Sequence, residues 1–179
     1  MGISVHAGDI ALVGKTTGAE GLLDEAISFA ESREALGDSS KVHATVITND
    51  DGQIMDRGWH VQYGSLDDYI GRQILILRYL NVSQFRLRYA LYWLDTQIGK
   101  RYPVSRLFLD LLGLGTKIFK SGWQDCSEEA VGFLYRLTTL KSFEHWAGWM
   151  PSDLADLEHW REFEVVYSGP LHADWREAQ

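Results

Sequence analysis

The sequence predicts an α+β domain, a small and mainly antiparallel sheet with helices massed on one side. Three observations predict it. Short β-branched and leucine-rich runs recur along the chain, and two of them flank an Asn-Asp-Asp-Gly turn. Helical apolar spacing appears between the runs without the strict alternation that a doubly wound sheet requires. The length of 179 residues suits one domain spanning 1–179.

The elements follow in order. GDIALV (8–13) reads as a short buried strand, and Leu22, Leu23, Ala26, Ile27, Phe29 and Ala30 give residues 20–35 a helical face. Gly37 to Ser40 break that pattern. VHATVIT (42–48) and QIMDRGW (53–59) flank Asn49-Asp50-Asp51-Gly52 as a hairpin. With the turn centred near 49–50, opposed residues sum to about 99, so His43 faces Asp56. QILILRYL (73–80) makes the next strand, with Gly71 marking its start. Ser83 caps a helix in which Phe85, Leu87, Tyr89, Ala90, Leu91, Trp93 and Leu94 form a broad apolar face ending near Gly99, expected to lie across the sheet. The apolar, Gly-interrupted stretch 104–119 reads as a short helix plus a loop. Asp125 or Ser127 caps a helix to about Leu137, Pro151 breaks the chain, and REFEVVYSG (161–169) is the last strand.

Composition excludes several function classes. A formal net charge of -8 provides no basic stripe, so neither nucleic acid nor an anionic membrane is expected as a partner. No run of about 18 apolar residues occurs, so no integral membrane segment is expected. The opening MGISVHAGDIALVG lacks the basic and apolar regions of a secretory signal, which predicts a cytoplasmic protein. VGKTTG (13–18) resembles a phosphate-binding loop but lacks a glycine separated by four residues from Gly-Lys-Thr, so no nucleotide cofactor is expected. The six histidines are scattered, a single cysteine cannot build a multi-cysteine zinc site, and Asp67-Asp68 reads as a helix-capping or solvated pair; no metal is expected.

The lone cysteine, Cys126, is the best candidate for chemistry. It stands where the polar turn of GWQDCSEEAVGFL (122–134) becomes helical. A helix N-terminus presents unpaired amides and about half a positive charge, which favours a nucleophilic thiolate. The nucleophile also needs a base. His43 opens an otherwise apolar strand, where a rigid backbone can aim it, and Asp56 on the partner strand could hold its second ring nitrogen and fix the tautomer. Against this stands the blander reading of a buried small cysteine and a structural histidine.

The chain resembles the circularly permuted papain-like hydrolases of the NlpC superfamily, which include the lecithin:retinol acyltransferase-like proteins. The match lies in order as well as motif: a Gly-Asp strand (GDIALV), a strand opened by histidine (HATVIT), an acidic residue on the next strand (MDRGW), Gly99-Lys100-Arg101-Tyr102, a Cys-Ser-Glu helix start (DCSEEAVGFL), and Pro151-Ser152-Asp153-Leu154. The resemblance spans roughly residues 7 to 155 and implies a papain-like fold with the cysteine helix packed on a small antiparallel sheet. It implies Cys126 as nucleophile, His43 as base and Asp56 as orienting residue, with His60 as the runner-up for the third role. Glutamate is more usual there. Tyr102 would lie near the site and help with the oxyanion, and Asp9 would stabilise the fold. Apart from the resemblance, Trp123 and Gln124, just ahead of the cysteine, are candidates to line the substrate groove, with simple packing the alternative for Trp123.

The function expected is hydrolysis of a peptide, isopeptide or cell-wall peptide amide through a thioester acyl-enzyme. Two alternatives stand beside it: a lipid esterase or acyltransferase of the same fold, and a non-catalytic protein that kept the scaffold within an assembly. The apolar Leu107 to Phe119 stretch reads first as core packing, with a lid, partner surface or lipid contact as alternatives; as a partner surface, together with the seven tryptophans, it would favour an assembly, which could also deliver the protein outside the cell.

Overall fold

The computed structural model describes residues 2–14, 41–57, 60–100, 126–144, 149 and 151–176, with backbone alone at 41, 42 and 57. The described residues contain six strands: β1 (Ile10–Gly14), β2 (Lys41–Ile47), β3 (Gln53–Arg57), β4 (Val61–Ser65), β5 (Gln73–Tyr79) and β6 (Phe163–Pro170). Three α-helices accompany them among the described residues: α1 (Gln84–Asp95), α2 (Cys126–Leu137) and α3 (Pro151–Ala155). The strands form one sheet in the order β4-β3-β2-β1-β5-β6, antiparallel at every step. The fold is α+β. No described helix is long and apolar enough to cross a membrane.

Period-two alternation divides the inner strands between two apolar layers. Ile10, Leu12, Ala44, Val46, Leu75 and Leu77 meet Val131, Phe133, Leu134 and Leu137 of α2 and Leu154 of α3. Ala11, Val13, Ile47, Ile54, Ile74 and Ile76 meet Ile3, Val5, Leu66, Tyr69, Leu171 and Trp175. Strands covered on both faces read as continuous apolar runs, which is why IALVG and QILILRY lack polar alternation. The edge strands β4 and β6 are polar outward.

The second layer is closed by both ends of the described chain. Trp175 is buried against Gly52, where a Cβ would stand 2.4 Å from the indole. Its Nε1 donates to Asp67 Oδ1 at 2.9 Å, its carbonyl accepts from Ile3 N at 2.8 Å, and Arg176 pairs with Asp67 at 2.7 Å.

Three expectations about these elements are corrected, and one strand is added. The helix capped by Ser83 forms as expected, with Ser83 Oγ accepting from Arg86 N. It packs on α2 rather than across the sheet, so Ala90 and Leu94 are buried while Phe85, at 81% exposure, and Tyr89 are not. Pro151 begins α3 instead of breaking the chain, since a proline in the first turn loses no intrahelical hydrogen bond. Ser127 lies inside α2, its hydroxyl donating to Trp149 O at 2.6 Å rather than capping the helix. The strand Val61–Ser65 and the following 3-10 turn Leu66–Tyr69 escaped the pattern reading, because VQYGS carries too little apolar alternation. Asp68 of that turn completes a capping box with Ser65. The expected helix over 20–35 and the stretch 104–119 lie outside the described residues.

Candidate active site

The site is assembled by the β2–β3 hairpin and the first turn of α2. Val46 faces Met55 and Ile47 faces Ile54, which puts the hairpin two residues out of the expected register. Asn49 is the cause. Its Oδ1 accepts from both Asp51 N and Gln53 N, and Gly52 adopts φ +77°, so the turn takes four residues instead of centring on 49–50. An even shift preserves parity: His43 and Asp56 keep the same face, as diagonal neighbours rather than a facing pair. They meet across the diagonal, with His43 Nε2 and Asp56 Oδ1 2.8 Å apart.

Cys126 is the first residue of α2, buried at 8% exposure and not in a disulfide. Phe133, Leu134 and Leu137 anchor the helix in the first layer. Cys126 stands close enough to His43 for its thiolate to act on the charge of the imidazole. With Nε2 held by Asp56, Nδ1 is the ring nitrogen left for sulfur. Glu128 and Glu129 complement the helix dipole from its first turn. The Pro151-Ser152-Asp153-Leu154 element forms α3, which packs on β2, and Ser127 ties α2 to Trp149 just ahead of it.

Charge in this cluster is set by proximity. Burial alone would lower the His43 pKa, but the Cys126 thiolate and the hydrogen-bonded Asp56 carboxylate outweigh burial and raise it to about 10. The imidazolium is therefore the resting form near neutrality.

The structure also adds a residue that the sequence reading missed. Tyr69, buried in the second layer, donates its hydroxyl to Asp56 Oδ1 at 3.0 Å. Burial first, then the Asp56 carboxylate, push this phenol well above the ordinary tyrosine range. Nothing in the LDDY segment announces the contact, which only the folded sheet creates. His60 is exposed, and Asp56 is the group on the imidazole. Asp9 is 1% exposed and accepts two hydrogen bonds from Arg78 and one from His6 N, which ties β1 to β5. Tyr102, Trp123 and Gln124 lie outside the described residues.

The described site is thus a cysteine–histidine–carboxylate constellation on an antiparallel α+β scaffold. No family model and no curated protein matches the sequence. Among solved structures the chain is similar to the crystal structure of metalloprotein yiiX from Escherichia coli O157:H7, DUF1105. The TM-score is 0.52 at 15% identity, with 98% of this chain and 93% of that one covered. At that identity the likeness concerns the fold alone. Among the described residues of this chain, no group of three or more His, Cys, Asp or Glu side chains could hold a metal ion.

Proposed function

We propose that this protein is a cysteine hydrolase of the permuted papain-like kind, cleaving an amide bond through a thioester. The observation that carries the reading is His43, hydrogen-bonded to Asp56 and electrostatically coupled to Cys126, the first residue of a helix. The ordered match from Gly8-Asp9 to Asp153-Leu154 supports the same reading.

In the proposed reaction the Cys126 thiolate attacks the carbonyl carbon and the carbonyl π pair moves onto oxygen. Backbone amides of the first turn of α2 stabilise that oxyanion. The oxyanion pair then re-forms the carbonyl, the carbon–nitrogen bond breaks, and His43 gives its proton to the departing amine. Neutral His43 next takes a proton from water, hydroxide attacks the thioester, and the acid leaves as the thiolate returns. Asp56 holds the ring in one tautomer and supports its positive form. The similar structure is that of a metalloprotein, but the donors described in this chain do not fit a metal.

Alkylation by iodoacetamide near neutral pH tests the proposal. Cys126 should react about tenfold or more faster than free cysteine, and His43→Ala should abolish the advantage. A rate equal to free cysteine and indifferent to His43 would leave a scaffold without chemistry. Amide and ester libraries, turned over by wild type but not by Cys126→Ser, then separate amide hydrolysis from ester chemistry.

A further inference from the structure

One polar group in the cluster has no part in the chemistry just set out. The Tyr69 hydroxyl donates to the same Asp56 oxygen that meets His43 Nε2. Its ring lies in the second apolar layer, tilted 51° to the His43 ring with centroids 5.9 Å apart. On the ring stands the Arg72 guanidinium, 5.5 Å from its centroid, with Nε donating to Gly14 O at 2.9 Å. The phenol is therefore fixed from β1, β2 and the turn that carries it.

This anchoring matters because of the hairpin register. A carboxylate directly opposite a histidine meets it in several side-chain conformations, whereas a diagonal neighbour must lean along the strand to reach it. Two donors converging on one oxygen select that lean. We propose that Tyr69 is a positioning residue, whose hydroxyl aims the Asp56 carboxylate across the diagonal at His43. The inference rests on the cysteine hydrolase reading.

The hydroxyl acts on His43 in two opposed ways. By aiming the carboxylate it strengthens the bond that supports the imidazolium; by donating to the same oxygen it draws some negative charge away. The aimed bond joins two charged groups and the phenol bond only one, so the aim dominates. Among the described residues, the charged groups around His43 are Cys126 on α2 and Asp56 on β3, with Arg72 beyond the Tyr69 ring.

The test is the His43 titration, read by NMR on the full chain with labelled histidine and assigned by its absence from His43→Gln. Tyr69→Phe keeps the ring and removes the hydroxyl. Its His43 midpoint should fall by about one pH unit, a tenfold change in ionisation constant. A midpoint unchanged or raised overturns the proposal, because a merely structural tyrosine would lower thermal stability without moving the imidazole. Should Tyr69→Phe not fold, wild type labelled with 3-fluorotyrosine reads the same contact. The Tyr69 fluorine signal should shift at the His43 midpoint, and should lose that response in Asp56→Ala; a signal indifferent to His43 sinks the idea. Failure of the hydrolase reading appears separately, as wild-type Cys126 alkylation no faster than free cysteine.

Discussion

His43 concentrates the electrostatics of the molecule at one residue. Its pKa rises from 6.5 to about 10, so the folded chain holds this proton more tightly than the unfolded one. The resulting stabilisation is complete below pH 6.5 and is lost as the pH climbs through 10. Denaturant titrations should show it as an advantage of wild type over His43→Gln that shrinks across that window. Serine at position 126 stays neutral there, so the NMR midpoint of His43 in Cys126→Ser should fall below that of wild type; an unmoved midpoint would remove the thiolate–imidazolium pair. At this scale residue type and order were legible, since a cysteine at a helix start and a histidine on a rigid strand already point to each other. The diagonal pairing was not, because the two hydrogen bonds of the Asn49 side chain set it, and an Asn-Asp-Asp-Gly string does not say which loop length it closes.

At the scale of elements, the hairpin depends on a single glycine. Gly52 needs both its positive φ and its lack of a side chain, given the indole against it. Gly52→Ala should cost about 2 kcal/mol or more in chemical denaturation, of which roughly 1–2 kcal/mol is the left-handed backbone alone. The strands β1, β2, β3, β5 and β6 were all readable, because apolar runs bounded by turn residues carry a strong signal. Helix α1 was readable as a helix but not in its packing. Its apolar residues surround too much of the cylinder to name one buried face, and contact with α2 buries Ala90 and Leu94 while leaving Tyr92 out. Position 151 misled for a different reason: proline ends helices and also begins them, and sequence alone does not distinguish the two uses.

At the scale of the whole molecule, the described residues form a sheet between two unlike covers, helices on one face and segments from both ends of the described chain on the other. The first cover was legible as amphipathic periodicity; the second was not, because segments such as 2–5 and 171–176 have no period and act only through where the sheet places them. Trp175 carries that cover. Trp175→Ala should destabilise the protein by about 3–5 kcal/mol, the range for removing a large buried aromatic, measured as a lowered denaturation midpoint. The same indole has a kinetic consequence. It presses on the turn between the two strands that carry His43 and Asp56, so tail and hairpin open together as one cooperative unit. Their amides should exchange with solvent deuterium at one common rate, and any binder or cleavage that lifts the tail would release the imidazole from its carboxylate, far along the chain from the point of attack.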